Sequence, residues 1–245
     1  MDNALELGEY LPLSFKTESE QEYIQFLWEA FDSNYNNQKY QFAFLAYHML
    51  TMSFIYFNIW QIKQIEPNDF EKAMIGFTKD QEKSLLTATS PFTLWQINES
   101  NVMRFLKLIG CNNEKIGNYA ALVKDRNNTA HTNGIISFST ETALDLKISA
   151  IMRIVREIQS HSRSIIEKCY QKFLIENNNP EEREYFDATD QIREVLIHQN
   201  YLSQQDIEIC KSFDLGSLNH HPDIDNIRLL HETLISEYQF SSIDF

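Results

Sequence analysis

Apolar residues recur three and four positions apart along most of this chain, and helix-start signals punctuate the pattern at regular intervals. The quartet Thr17-Glu18-Ser19-Glu20 reads as a capping box opening an amphipathic helix through Tyr23, Leu27, Ala30 and Phe31. Between Lys39 and Lys63 no charged residue occurs, and FAFLAYHMLTMSFIYFNIW is apolar on nearly every face. That run predicts a helix over residues 38–65, closed by Pro67. It is long enough to span a bilayer. It also carries His48, Thr51, Ser53 and Asn58, and Gln rather than a basic cluster lies at either end, so we read it as a central buried helix with no membrane partner.

Further along, Thr78-Lys79-Asp80-Gln81 is a second capping box, and Ser90-Pro91 is an N-cap followed by proline at the first helical position. Residues 98–109 form a helix that stops at Gly110. The next helix covers residues 113–130 with an apolar stripe of Ile116, Ala120 and Val123, and His131-Thr132-Asn133-Gly134 breaks it. Ser139 or Thr140 then caps a long helix to about Tyr170, whose seam is Leu144, Ile148, Ile151, Val155 and Ile158. Such a seam belongs to an intramolecular core more often than to a dimer interface. Residues 176–182 are rich in Asn and Glu around Pro180 and read as a linker; residues 184–199, 203–213 and 225–238 read as shorter helices. The pattern predicts an all-α helical bundle over residues 1–175, with an acidic helical C-terminal extension over 176–245 packed on it or linked to it.

Composition agrees. Six glycines and five prolines in 245 residues are too few for a sandwich or barrel that turns every 8–12 residues. The net charge of −14 is unevenly placed: residues 175–245 hold 15 Asp/Glu against 4 Lys/Arg, and residues 1–174 carry only −3. The first 174 residues therefore stay open to an RNA partner despite the acidic total, while the acidic tail reads as a solvating feature. Cys111, Cys169 and Cys210 have no metal spacing and read as buried thiols of a reducing cytoplasm. The N-terminal MDNALELGEY has no signal-peptide pattern, which also points to a cytoplasmic location.

For chemistry, phosphate-loop, zincin and nucleophile-elbow motifs are absent from the sequence. His220-His221-Pro222-Asp223 reads as a polar loop rather than a metal site, and no cofactor is implied. The informative stretch is Arg126-Asn127-Asn128-Thr129-Ala130-His131. Continuing the stripe of the 113–130 helix by four and four more lands on Asn127 and His131, polar where the pattern asks for core; such breaks tend to mark a site. Asn127 and His131 share a face, whereas Arg126 and His131 stand about 140° apart on an ideal helix and converge only if the helix ends near Ala130. Arg126 then clamps a phosphate oxygen with its planar fork, an imidazole such as that of His131 moves a proton at neutral pH, and Asn127 holds the imidazole or a phosphate. The competing reading is an ordinary helix C-terminus with a solvated Asn127. The same Arg-to-His spacing recurs at Arg156…His161, mid-helix, and at Arg193…His198, near a helix end and the runner-up site.

The hexapeptide resembles the signature of HEPN domains, a helical superfamily whose ribonucleases carry Arg, a polar residue, a short spacer and His. The all-helical surroundings and the long helix after the motif are also similar to that fold. The resemblance covers about residues 20–172. It implies a metal-independent endoribonuclease in which the RNA 2′-OH attacks the adjacent phosphorus, leaving 2′,3′-cyclic phosphate and 5′-OH ends. It further implies that His131 acts as base or acid, that Arg126 stabilises the phosphorane, and that a homodimer forms a composite site. It suggests a toxin–antitoxin, CRISPR-associated or antiviral-defence setting, with an antitoxin or other protein regulator. Some relatives carry a modified Tyr two residues after the His; Asn133 stands there in this chain. The alternative from another class is a non-catalytic helical interaction or nucleotide-sensing module.

Overall fold

The computed structural model describes residues 2–131 and 134–240. It is all-α, with no strand among the described residues beyond a single bridge between Pro12 and Ser203. In chain order the α-helices are α1 Asp2–Leu5, α2 Glu18–Asn36, α3 Tyr40–Ile65, α4 Pro67–Ala73, α5 Lys79–Leu86 and α6 Glu99–Val102. They continue with α7 Asn113–Ala130, α8 Glu141–Glu176, α9 Ala188–Gln191, α10 Gln204–Lys211 and α11 Ile224–Glu237. Short 3-10 turns cover Glu6–Tyr10, Pro91–Gln96, Met103–Ile109 and Leu215–Leu218, and a π-helical turn, Ile192–His198, continues α9.

The charge-free run becomes the axis of the fold. Helix α3 has the length and composition to cross a membrane, yet 83% of its apolar window is buried within the protein. Helices α2 and α8 pack along it, with α7 against its N-terminal half. The α8 seam is entirely core: Leu144, Ile148, Ile151, Val155 and Ile158 are at most 1% exposed.

Helix α8 ends at Glu176 rather than near Tyr170. The extra turns exist because Phe173 and Leu174 are buried in a second apolar cluster with Ile192, Leu196, Ile207 and Leu230. The two clusters divide at Ile165 and Ile166, inside α8, and Tyr201 belongs to the first. One helix thus serves as the wall of both cores.

Buried polar groups fasten the C-terminal region. Asp206 accepts from Gln159 Nε2 at 2.6 Å, Gln61 Nε2 at 3.1 Å and the Ser203 amide at 2.9 Å. Residues 176–182, expected as a linker, are a tied turn. Arg183 donates to the Asn177 and Asn178 carbonyls at 2.7 and 3.1 Å, and Gln191 donates to Asn177 Oδ1 at 2.5 Å. A polar composition does not distinguish a solvated linker from a turn whose polar groups satisfy one another.

Most predicted caps form. Thr78 and Gln81 make both halves of their box, and Thr140 caps α8. At α2, Thr17 accepts from the Glu20 amide, but the Glu20 carboxylate does not return to close the box. It is taken by Ser90 Oγ at 2.5 Å and by the Tyr201 hydroxyl at 3.0 Å. The expected 98–109 helix is α only to Val102 and then tightens into a 3-10 stretch ending at Gly110, whose φ of +85° suits glycine. The expected 184–199 helix begins later, at Ala188, where Asp187 caps it.

Candidate functional site

Helix α7 ends at Ala130, and His131 is its C-cap with extended backbone (φ −80°, ψ 147°). The His131 amide donates to the Asn127 carbonyl at 3.1 Å, closing the last turn. This is the helix end that convergence of Arg126 and His131 requires.

The end is held from three sides. Thr129 is buried, and its hydroxyl donates to the Asp125 carbonyl at 2.8 Å. Lys147 of α8 pairs with Asp125. Gln41 of α3 donates to the Thr129 carbonyl at 3.1 Å and accepts from the Ser137 amide at 2.9 Å, so one side chain grips the chain before and after residues 131–136. Phe138 then packs against Phe44 at a tilt, with ring centres 4.5 Å apart. Asn133 and Thr132 lie outside the described residues.

Arg126 is half-buried, with Nη2 at 2.7 Å from Glu99 Oε2. The same oxygen lies 3.3 Å from Nε2 of His48, which is 1% exposed. Burial alone raises the Glu99 carboxyl; the hydrogen bonds and charges of His48 and Arg126 outweigh it and hold the group below its ordinary value. The other His48 nitrogen, Nδ1, is buried without a partner among the described residues. His131, by contrast, is exposed, and Asn127 is half-exposed. No hydrogen bond or ion pair joins Arg126 to His131 among the described residues; the guanidinium is held by Glu99 of α6 while the imidazole stands at the helix end.

Glu99 and His48 are the residues that sequence reasoning missed as partners of the motif. His48 had a signal, being the one imidazole in a 23-residue stretch without charge. Glu99 had none, since it sits in the first turn of a short helix like many other acids.

The other Arg–His pairs have different partners. Arg156 forks onto Glu6, while His161 meets the Ile109 carbonyl at 3.2 Å and Lys115 at 2.8 Å. In the runner-up pair, Arg193 is engaged by Asp190 and Glu194, and His198 Nδ1 faces Ser14 Oγ at 3.2 Å. These two side chains serve separate neighbours on a π-helical turn. At the adjacent histidines, His221 Nδ1 accepts from the Asp223 amide at 3.2 Å, a local turn contact. Among the described residues no three His, Cys, Asp or Glu side chains gather where a metal ion would sit.

Glu99 also borders a groove of about 570 Å³ between α2, α3 and the 90–99 segment. Its walls are Tyr23, Met52, Tyr56, Phe92 and Trp95. Phe92 is met edge-on by Tyr23 at 5.2 Å and by Tyr56 at 6.3 Å. Burial, and next the Glu99 charge, push the Tyr56 phenol above its ordinary range. No family model, curated protein or solved structure matches the chain.

Proposed function

We propose that this protein is a metal-independent endoribonuclease of the HEPN type, with Arg126, Asn127 and His131 as its reacting group. The observation that carries the reading is the end of α7 at Ala130, which puts His131 outside the helix, exposed and one turn beyond a half-buried Arg126. In the reaction, a His131 imidazole takes the proton of the RNA 2′-OH as that oxygen bonds to phosphorus. The P–O5′ bond breaks, and a second imidazole returns a proton to the leaving oxygen. Arg126, held by Glu99 through Nη2, stabilises the phosphorane charge with its remaining N–H donors.

Two imidazoles imply two chains. Ile135 and Ile136, 65% and 71% exposed, flank the motif and supply apolar surface that a homodimer would cover.

The Arg126–Glu99–His48 cluster favours a second reading. If the guanidinium is a structural tie, the chain is a non-catalytic helical module.

The experiment is incubation of wild type, Arg126→Ala and His131→Ala with total tRNA and a structured mRNA in EDTA, each variant checked for helicity and oligomeric state. Cleavage by wild type alone, leaving cyclic-phosphate and 5′-OH ends, is the expected result. Cleavage kept in both variants but lost in His198→Ala moves the site to the runner-up pair. Absence of cleavage from a dimer of wild-type helicity favours the module.

A further inference from the structure

We propose that the groove beside Glu99 is a nucleobase pocket, which takes a single unstacked base carrying an amino donor: adenine, guanine or cytosine rather than uracil. The proposal rests on the reading above, in which the RNA phosphate engages Arg126.

The walls are aromatic and thioether surfaces, the lining suited to a flat π-system. Trp95 at the rim is 72% exposed, and Met49 is 41% exposed. A tryptophan left in water beside a concave apolar surface is a stacking platform without its partner.

The polar groups of the groove select among flat ligands. Glu20 is 4% exposed and already accepts from Ser90 and Tyr201. Glu99 spends Oε2 on Arg126 and His48, while Oε1 has no partner among the described residues. The phenols of Tyr23 and Tyr56 make no hydrogen bond among the described residues either. The open groups are thus one carboxylate oxygen and two hydroxyls.

An exocyclic amino group satisfies a carboxylate oxygen directly. The single imino N–H of uracil lies between two carbonyl oxygens that repel it. The two carboxylates, with no basic residue lining the groove, also keep the phosphate out. Arg126 pairs with Glu99 but is not among the residues that line the groove, so base and phosphate meet different side chains. The size of the space, within the roughly 300–1,000 Å³ of small-ligand sites, suffices for a base and part of its ribose.

The test is fluorescence anisotropy of labelled twelve-residue oligo(A), oligo(C) and oligo(U) in EDTA, on full-length His131→Ala to suppress cleavage. In that background Trp95→Ala, Trp95→Phe and Glu99→Gln are compared, with helicity checked for each. The proposal expects tighter binding of oligo(A) and oligo(C) than of oligo(U). It expects a loss on the order of tenfold in Trp95→Ala, most of it recovered in Trp95→Phe. In Glu99→Gln the preference over oligo(U) shrinks.

Equal binding of all three oligomers, or binding unmoved by Trp95→Ala, overturns the pocket. If wild type still cleaves RNA in that case, the ribonuclease reading survives alone. Binding that follows the expected pattern without cleavage by wild type keeps the pocket and removes the reaction. Quenching of wild-type tryptophan fluorescence by choline, absent in Trp95→Ala and with no RNA bound, assigns the groove to an organic cation and overturns the proposal.

Discussion

Arg126 Nη2 and His48 Nε2 converge on one oxygen, Oε2 of Glu99, at 2.7 and 3.3 Å. The histidine comes from the N-terminal half of the buried helix α3, the arginine from the last turns of α7, and the carboxylate from the short helix α6 between them in sequence. This carboxylate therefore fixes the Arg126 guanidinium, and it does so from the lining of the aromatic groove.

The junction should be acid-sensitive. The Glu99 carboxyl is held below the ordinary carboxylate value. A group depressed in the folded state contributes stability above its unfolded pKa and loses it as pH falls through the folded value. Wild type should lose more stability than Glu99→Gln as pH falls below about 4.5. Urea unfolding of the two proteins at pH 7 and pH 4 measures this, and parallel losses would contradict it.

His131→Ala should separate activity from stability. The side chain is exposed and lies beyond the helix, so the unfolding midpoint should match wild type. If the proposed ribonuclease reading holds, removal of this acid–base group lowers RNA cleavage on the order of 10²–10⁴-fold. Thermal unfolding and single-turnover cleavage of the same preparations give both numbers.

Tyr201→Phe should loosen the C-terminal region. The Tyr201 hydroxyl donates to buried Glu20 at 3.0–3.1 Å, joining the chain after the π-turn to the start of α2. Its removal leaves a buried carboxylate short of a donor, a cost of about 1–3 kcal/mol. Hydrogen exchange should show the increase in opening first at Leu13 and at residues 201–203, where the Leu13 amide bonds to the Leu202 carbonyl.

The thiols should be silent until unfolding. All three cysteines are buried and free. Burial pushes Cys169 up to about 12 and raises Cys111 and Cys210 as well. A chromogenic disulfide reagent at pH 8 should titrate none in the native protein and three in denaturant. Fast labelling of a native thiol would show that its helix opens.

The class of the fold was legible because it rests on local and periodic signals. The scarcity of Gly and Pro, the stripes at three and four residues, and the caps at Thr78 and Thr140 act within one turn of their own positions. Asn127 and His131 were singled out by a local signal too, as polar side chains on a stripe that called for apolar ones, with Arg126 beside them. The stop of α7 at Ala130 followed from Gly134 just beyond it.

Sequence alone therefore determined an all-helical chain, the buried axis from Tyr40 to Ile65 and the end of the 113–130 helix. Tertiary structure decided which groups those polar residues meet. Glu99 and His48 are 27 and 78 positions before Arg126, and Glu20 is 181 before Tyr201. Nothing in the periodicity of either segment encodes such a pairing. Those contacts exist because burying α3 on most faces forces α2, α6, α7 and α8 around it, and the carboxylates caught at their junctions must find donors within reach. The same packing extended α8 into a second core and turned an apparent linker into a fastened turn, outcomes set by long-range burial rather than by local propensity.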